Sequence, residues 1–181
     1  MEARGRPVAF AVVRALFVIA VAALAGFILS PLLRAEADCT PTPAGAPKGF
    51  SKEQVANARL IVDLGTERHV PDAGLVIAVA TAMQESSLRN LRGGDRDSIG
   101  LFQQRPSQGW GTPKQLSDPA YQTQKFYDKL LRVDGWQKMR VTEAAQAVQV
   151  SAFPEAYQKH VPAAKRLVES VGGGSASCAA V

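Results

Sequence analysis

The longest apolar run in the chain covers residues 15–33, where 19 consecutive positions carry no charge. Only Gly26, Ser30 and Pro31 interrupt its Ala, Val, Leu, Ile and Phe side chains. Coiled as a helix, such a run is roughly 28 Å long, the thickness of a bilayer's hydrocarbon core. Arg4, Arg6 and Arg14 precede it, which predicts residues 1–14 in the cytoplasm and everything after Leu33 outside. Its uninterrupted length favours a single-pass anchor in the cell membrane. Ala35-Glu36-Ala37 equally resembles a signal-peptide cleavage site, which would leave a secreted protein. In both cases the folded part is exported.

Beyond this run the pattern changes twice. Residues 34–50 hold Pro41, Pro43, Pro47, Gly45 and Gly49, the composition of a semi-rigid linker. From Ser51 the apolar positions recur at helical spacing. Ser51 and Gln54 form a capping-box pair that opens a helix over 52–68, with Val55, Leu60, Ile61, Val62 and Leu64 as its apolar face. Pro71-Asp72 opens a second helix to about residue 90, and its stretch 75–83 is apolar almost all round, broken only by Thr81. A helix apolar on every side must be buried, so this one is the expected centre of the domain. Residues 92–105 read as a loop or small β-element. Asp118-Pro119 caps a helix to about 132, Thr142 caps one over 143–151, and a last helix covers 163–171. Gly172 then begins a loose Gly-rich tail, 172–181. The expected fold is mainly α: five or six helices of a domain at 51–171, around one buried central helix.

Apolar residues make up 46% and charged residues 20% of the chain, which excludes a wholly disordered protein. Residues 38–181 carry 17 of the 21 basic and 14 of the 16 acidic side chains, so the exported part is only mildly basic. No basic run alternates with aromatics, and a nucleic-acid partner is not indicated. An anionic polymer such as a cell wall suits the charge. The two cysteines, Cys39 and Cys178, bracket nearly all of the exported segment. Outside the cytoplasm this arrangement predicts a disulfide joining the ends of the domain, stabilising by roughly 4–5 kcal/mol for so long a loop. These cysteines with His69 and His160 show no metal-ligand spacing, and nothing in the sequence calls for a cofactor.

One residue is out of keeping with the central helix. Glu85 stands where the apolar stretch ends, followed by Ser86 and Ser87. A carboxyl at that boundary is partly desolvated, which favours its protonated form and suits general-acid work. On these residues alone, a solvated carboxylate paired with Arg89 four residues on is the simpler account.

The neighbouring segments shift that balance. Met83-Gln84-Glu85-Ser86-Ser87, followed by Ser98-Ile99-Gly100-Leu101-Phe102-Gln103-Gln104-Arg105-Pro106, resembles the lytic transglycosylases of the lysozyme-like superfamily. Glu85-Ser86 matches their Glu-Ser at a helix end. Gly100-Leu101-Phe102-Gln103 with Pro106 matches their Gly-Leu-Met-Gln segment, Phe102 standing for methionine. Asp118-Pro119 with Phe126-Tyr127 and Leu130 resembles the family's next helix. Its Ala-Tyr-Asn motif is only faintly matched by Ala147-Val148-Gln149, and Tyr157 is the candidate for the aromatic that follows. The stretch from Asp95 to Trp110 is also similar to a subgroup of exported actinobacterial proteins. The resemblance covers about 52–167.

It implies a lysozyme-like fold that cleaves the β-1,4 bond between N-acetylmuramic acid and N-acetylglucosamine in peptidoglycan glycan strands. In the family a single glutamate, here Glu85, protonates the leaving oxygen and then takes the proton of the muramyl C6 hydroxyl, leaving a 1,6-anhydro end. The implied substrate contacts are Ser86, Ser98, Phe102, Gln103, Gln149 and Tyr157. Phe102, Trp110 and Trp136 are candidate stacking surfaces, with core packing at least as good an account of the two Trp. Asp95 or Asp97 could supply the second carboxylate of a hydrolysing lysozyme. A catalytically inert wall-binding module is the reading from a different class. A transporter fails physically, since one spanning segment forms no pathway unless it oligomerises.

The cysteine arrangement can be tested directly. Exported protein analysed without reduction is expected to weigh two hydrogens less than its reduced form, whereas two freely alkylated thiols would refute the Cys39–Cys178 pair.

Overall fold

Ser51 opens the first helix as its sequence requires: its side chain accepts from Gln54 N–H, and Gln54 reaches back to the Ser51 N–H at 2.8 Å. In the computed structural model, which describes residues 47–151 and 153–172, the elements are α1 (Lys52–Glu67), α2 (Asp72–Ser86), α3 (Pro113–Leu116), α4 (Pro119–Leu130), α5 (Val141–Gln149) and α6 (Val161–Gly172). Short 3₁₀ turns lie at Pro106–Gln108, Trp136–Lys138 and Gln158–His160. The described residues are mainly helical and contain no strand. The apolar run 15–33, Cys39 and Cys178 lie outside them. Within them no helix is long and apolar enough to cross a membrane.

α2 is the centre. Every residue from Gly74 to Ala82 is buried, and α1, α4, α5 and α6 pack around it. Small side chains at Gly74, Ala78, Ala80 and Ala82 let the surrounding helices come close. The small β-element expected in 92–105 is a single antiparallel bridge, with Ile99 and Gln104 exchanging backbone hydrogen bonds at 3.0 and 3.1 Å.

α2 is shorter than its pattern suggests. It ends at Ser86 rather than near residue 90, because Ser87 and Leu88 both turn left-handed, at φ 54° and 58°. The Leu88 N–H then donates back to Ala82 O at 3.1 Å and the Ser87 N–H to Met83 O at 3.0 Å, closing the helix end. The turn drives Leu88 into the core, fully buried. Two α1 side chains secure it: Gln54 Nε2 donates to Ser87 O at 2.9 Å and Asn57 Nδ2 to Leu88 O at 2.8 Å. Burial of Leu88 ends the helix.

Other boundaries move for local reasons. α5 begins at Val141, capped by the Glu143 carboxylate on the Arg140 N–H at 3.0 Å, while Thr142 lies buried and hydrogen-bonds Pro154 O. It ends at Gln149, since Val150 turns left-handed. α6 begins at Val161, two residues before its expected start, because proline is accepted in a first helical turn. α4 opens as expected, with Asp118 Oδ1 accepting from Ala120 N–H at 2.9 Å, but stops at Leu130. α3 was not expected; Thr112 and Gln115 form a second capping box that its sequence carries.

Where α1 crosses α2 and α4 the contact admits no side chain. A Cβ on Gly65 would press on Leu75 Cδ2 and stand 2.6 Å from the hydroxyl of Tyr127. That hydroxyl donates to Ile61 O at 3.0 Å, so it cannot retreat freely. Gly65→Ala is therefore expected to destabilise by about 1–3 kcal/mol from overpacking, less the gain in helix propensity. Urea unfolding should register the loss; an unchanged midpoint would contradict this crossing.

Candidate functional site

Glu85 is the last residue but one of α2 and half-buried. Its carboxylate accepts a hydrogen bond from the Tyr157 hydroxyl at 2.8 Å. Burial pushes the Glu85 pKa up, and hydrogen bonds from Tyr157 and Gln149 pull part of that rise back. Tyr157 is itself fully buried; desolvation and the adjacent Glu85 charge both push its pKa up, so it stays a donor at neutral pH. The expected alternative partner is not used: Arg89 is exposed, and no ion pair among the described residues involves Glu85.

Three elements bring this group together. α2 supplies Glu85, the end of α5 supplies Gln149, and the segment before α6 supplies Tyr157. Beside Glu85, Gln84 Oε1 pairs with His160 Nε2 at 3.0 Å and ties that last segment to α2. Gln149 is oriented from behind, since its Nε2 donates to Phe102 O at 2.8 Å. This leaves the other hydrogen of the same amide free to act on Glu85.

The loop carrying Phe102 is anchored to the helix end by Ser86. The Ser86 hydroxyl donates to Leu101 O at 2.7 Å and accepts from the Arg89 N–H at 3.2 Å. From below, Gln122 on α4 accepts from the Phe102 N–H at 2.7 Å and donates to Leu116 O. Gly100 makes room for this amide. It sits at φ 79°, and a Cβ there would collide with Gln122 Nε2. Gln104, also buried, donates to Gln122 O at 3.1 Å.

The remaining candidates fall elsewhere. The Phe102 ring is fully buried, stacked on Phe126 at 4.8 Å between centroids, so it offers the site a carbonyl and no stacking face. Trp110 and Trp136 are core residues, 5% and 2% exposed. Lys129 covers the Trp110 ring with its ammonium 3.2 Å from the centroid. Ser98 is buried in the turn that opens the hairpin, its N–H donating to Asp95 O at 3.1 Å. Gln103 folds back on its own turn, Nε2 donating to Gly100 O at 3.0 Å, and its amide lies against Gly94. Asp97 accepts from Arg105 Nε at 2.6 Å and from the Ser107 N–H at 2.8 Å, and these bonds hold its pKa well below the usual carboxylate range. Asp95 is exposed beside Arg96.

Gln122 was not among the expected residues. The signal for it lies in its register: it shares with Phe126 and Leu130 the i, i+4 positions of α4's apolar face, where a polar side chain must be fully partnered. A concavity of about 430 Å³ lies at the opposite end of α2, between Val76, Trp136, Met139 and Val168. Its charged groups Asp72, Lys165 and Glu169 are exposed. Among the described residues no cluster of His, Cys, Asp or Glu could hold a metal ion. No protein-family model matches the chain, and no curated protein matches its sequence.

The two carboxylates give opposite pH dependences. Glu85 has a folded pKa above its unfolded value, so the native state holds more protons and loses stability as pH rises through the folded pKa. Asp97 has a depressed folded pKa and stabilises above its unfolded value, a contribution lost as pH falls. Unfolding midpoints measured from pH 4 to 7 should thus show Glu85→Gln gaining on the wild type as pH rises. Carried down to pH 2, the same measurement should show Asp97→Asn losing ground as pH rises toward 4, where the unfolded carboxyl titrates and the folded one is already ionised. Parallel curves for both would contradict these environments.

Proposed function

We propose that the domain is a lysozyme-like lytic transglycosylase that cleaves the MurNAc-GlcNAc β-1,4 bond of peptidoglycan, with Glu85 as its one catalytic acid and base. The observation that carries this is a half-buried carboxyl with a raised pKa, hydrogen-bonded by Tyr157, at the end of the helix that bears Glu85-Ser86. A raised pKa keeps the carboxyl protonated closer to neutral pH, as a general acid needs.

In the proposed reaction the Glu85 carboxyl donates its proton to the glycosidic oxygen as the bond from that oxygen to muramyl C1 breaks. The Glu85 carboxylate then accepts the proton of the muramyl C6 hydroxyl, whose oxygen forms the new bond to C1. No water is consumed, and Glu85 ends protonated as it began. Tyr157 and Gln149 stabilise the carboxylate between the two steps, by hydrogen bonds that favour the ionised form. Asp97, committed to Arg105 and Ser107, is poorly suited to be the second acid of a hydrolysing lysozyme. A wall substrate agrees with the export expected from residues 15–33, whether as anchor or as signal peptide.

Glu85→Gln removes the transferable proton at nearly constant shape. Digestion of purified peptidoglycan should fall by about 10²–10⁴-fold. Wild-type products should carry 1,6-anhydro ends, one water lighter than hydrolytic ends by mass. Tyr157→Phe deletes a bond that lowers the Glu85 pKa, so the high-pH limb of its rate profile should move up. Full activity in Glu85→Gln would refute the assignment. A wild type that binds walls without cleaving any preparation would leave the inert wall-binding module.

A further inference from the structure

With Phe102, Trp110 and Trp136 buried, none of the expected aromatics can face a sugar. Among the described residues one aromatic does stand outside. Phe153 is 73% exposed and Val150, three residues before it, 78% exposed. Val150 is held left-handed at φ 53°, a conformation that strains a β-branched residue and persists only where its surroundings enforce it.

Here the surroundings are well defined. Gln146 clamps Ser151 twice, its Oε1 accepting from the Ser151 N–H at 3.1 Å and its Nε2 donating to Ser151 O at 2.9 Å. The Phe153 N–H donates to the Ser151 hydroxyl at 3.0 Å, and the Ser151 side chain acts on Tyr157, lowering its pKa. Tyr157 in turn donates to Glu85 at 2.8 Å. On the far side Thr142 holds Pro154 O, and Arg140 forks onto Glu155 with two bonds of 3.2 Å. A strained and braced segment therefore presents two apolar side chains to water, in the stretch of chain that leads to Tyr157, the donor to Glu85.

We propose that Phe153, flanked by Val150, is a stacking platform for a pyranose ring of the glycan strand, adjoining the ring whose bond Glu85 cleaves. The apolar face of a pyranose, with its axial C–H bonds, packs on an aromatic ring, and burying both faces removes apolar surface from water. Continuity with the Glu85 group argues for this occupant. Two side chains form too small a patch for a stable protein interface, which needs about 800 Å² per partner. The proposal rests on the saccharide-cleaving reading of the same site.

The test uses the soluble N-acetylglucosamine hexamer as binding probe and purified peptidoglycan as substrate, with Phe153→Ala and Phe153→Trp. Both variants should keep the wild-type unfolding midpoint, because the side chain is outside the core. Phe153→Ala should weaken hexamer binding, and raise the wall concentration for half-maximal rate, by about 3- to 10-fold. Phe153→Trp should bind at least as well as wild type, and its added fluorescence should shift on saturation with the hexamer. If the wild type cleaves walls while Phe153→Ala matches it in hexamer affinity and half-maximal concentration, the platform is overturned and the catalytic reading stands. If the wild type cleaves nothing but Phe153→Ala still loses hexamer affinity, the platform stands and the reaction falls.

Discussion

The end of α2 is the constraint on which the rest depends. A helix buried on every side can leave the core only where polar groups can be served, and its last carbonyls must find donors. Here the chain reverses hand at Ser87 and Leu88, and the backbone N–H groups of both return to the final turn. The Leu88 side chain stays inside while Glu85, within that final turn, is left at the boundary between core and solvent. Its perturbed carboxyl follows from that position. A helix continued to residue 90 would carry the next turn past the hairpin that Ser86 holds.

Around that boundary the polar groups are arranged in series. Gln122 fixes the Phe102 peptide from the nitrogen side, and the Phe102 carbonyl orients Gln149. Gln149 and Tyr157 then act on Glu85 from different elements. In a low-dielectric interior each of these amides would be costly without partners, so their geometry is narrowly specified. Ser86 does the corresponding work at the backbone, joining helix end to hairpin through one hydroxyl. The result is a narrowly fixed polar setting around one carboxyl.

The two acidic environments show how position alone separates roles. Asp97 accepts from a guanidinium and a backbone N–H and is held ionised, which makes it a clasp between the hairpin and the Pro106–Gln108 turn. Glu85 has lost solvent and gained only neutral donors, so its proton is held more tightly. A charge-rich loop and a helix end thus shift the pKa of the same functional group in opposite directions.

The sequence by itself determined the helical class, the buried central helix and the caps at Ser51 and Asp118, because periodicity and capping act over a few neighbouring residues, and left 92–105 as a loop or small β-element. It also singled out Glu85, Gln149 and Tyr157 as candidates, through a pattern of motifs. Tertiary structure alone decided that these three meet, since residues 64 and 72 positions apart touch only when helices pack. It likewise decided that Phe102 turns its ring inward and its carbonyl toward Gln149, and that Gln122 supports the loop from beneath. Helix ends shifted for the same reason: Leu88 and Val150 take left-handed backbones whose energy only long-range burial and bracing can offset.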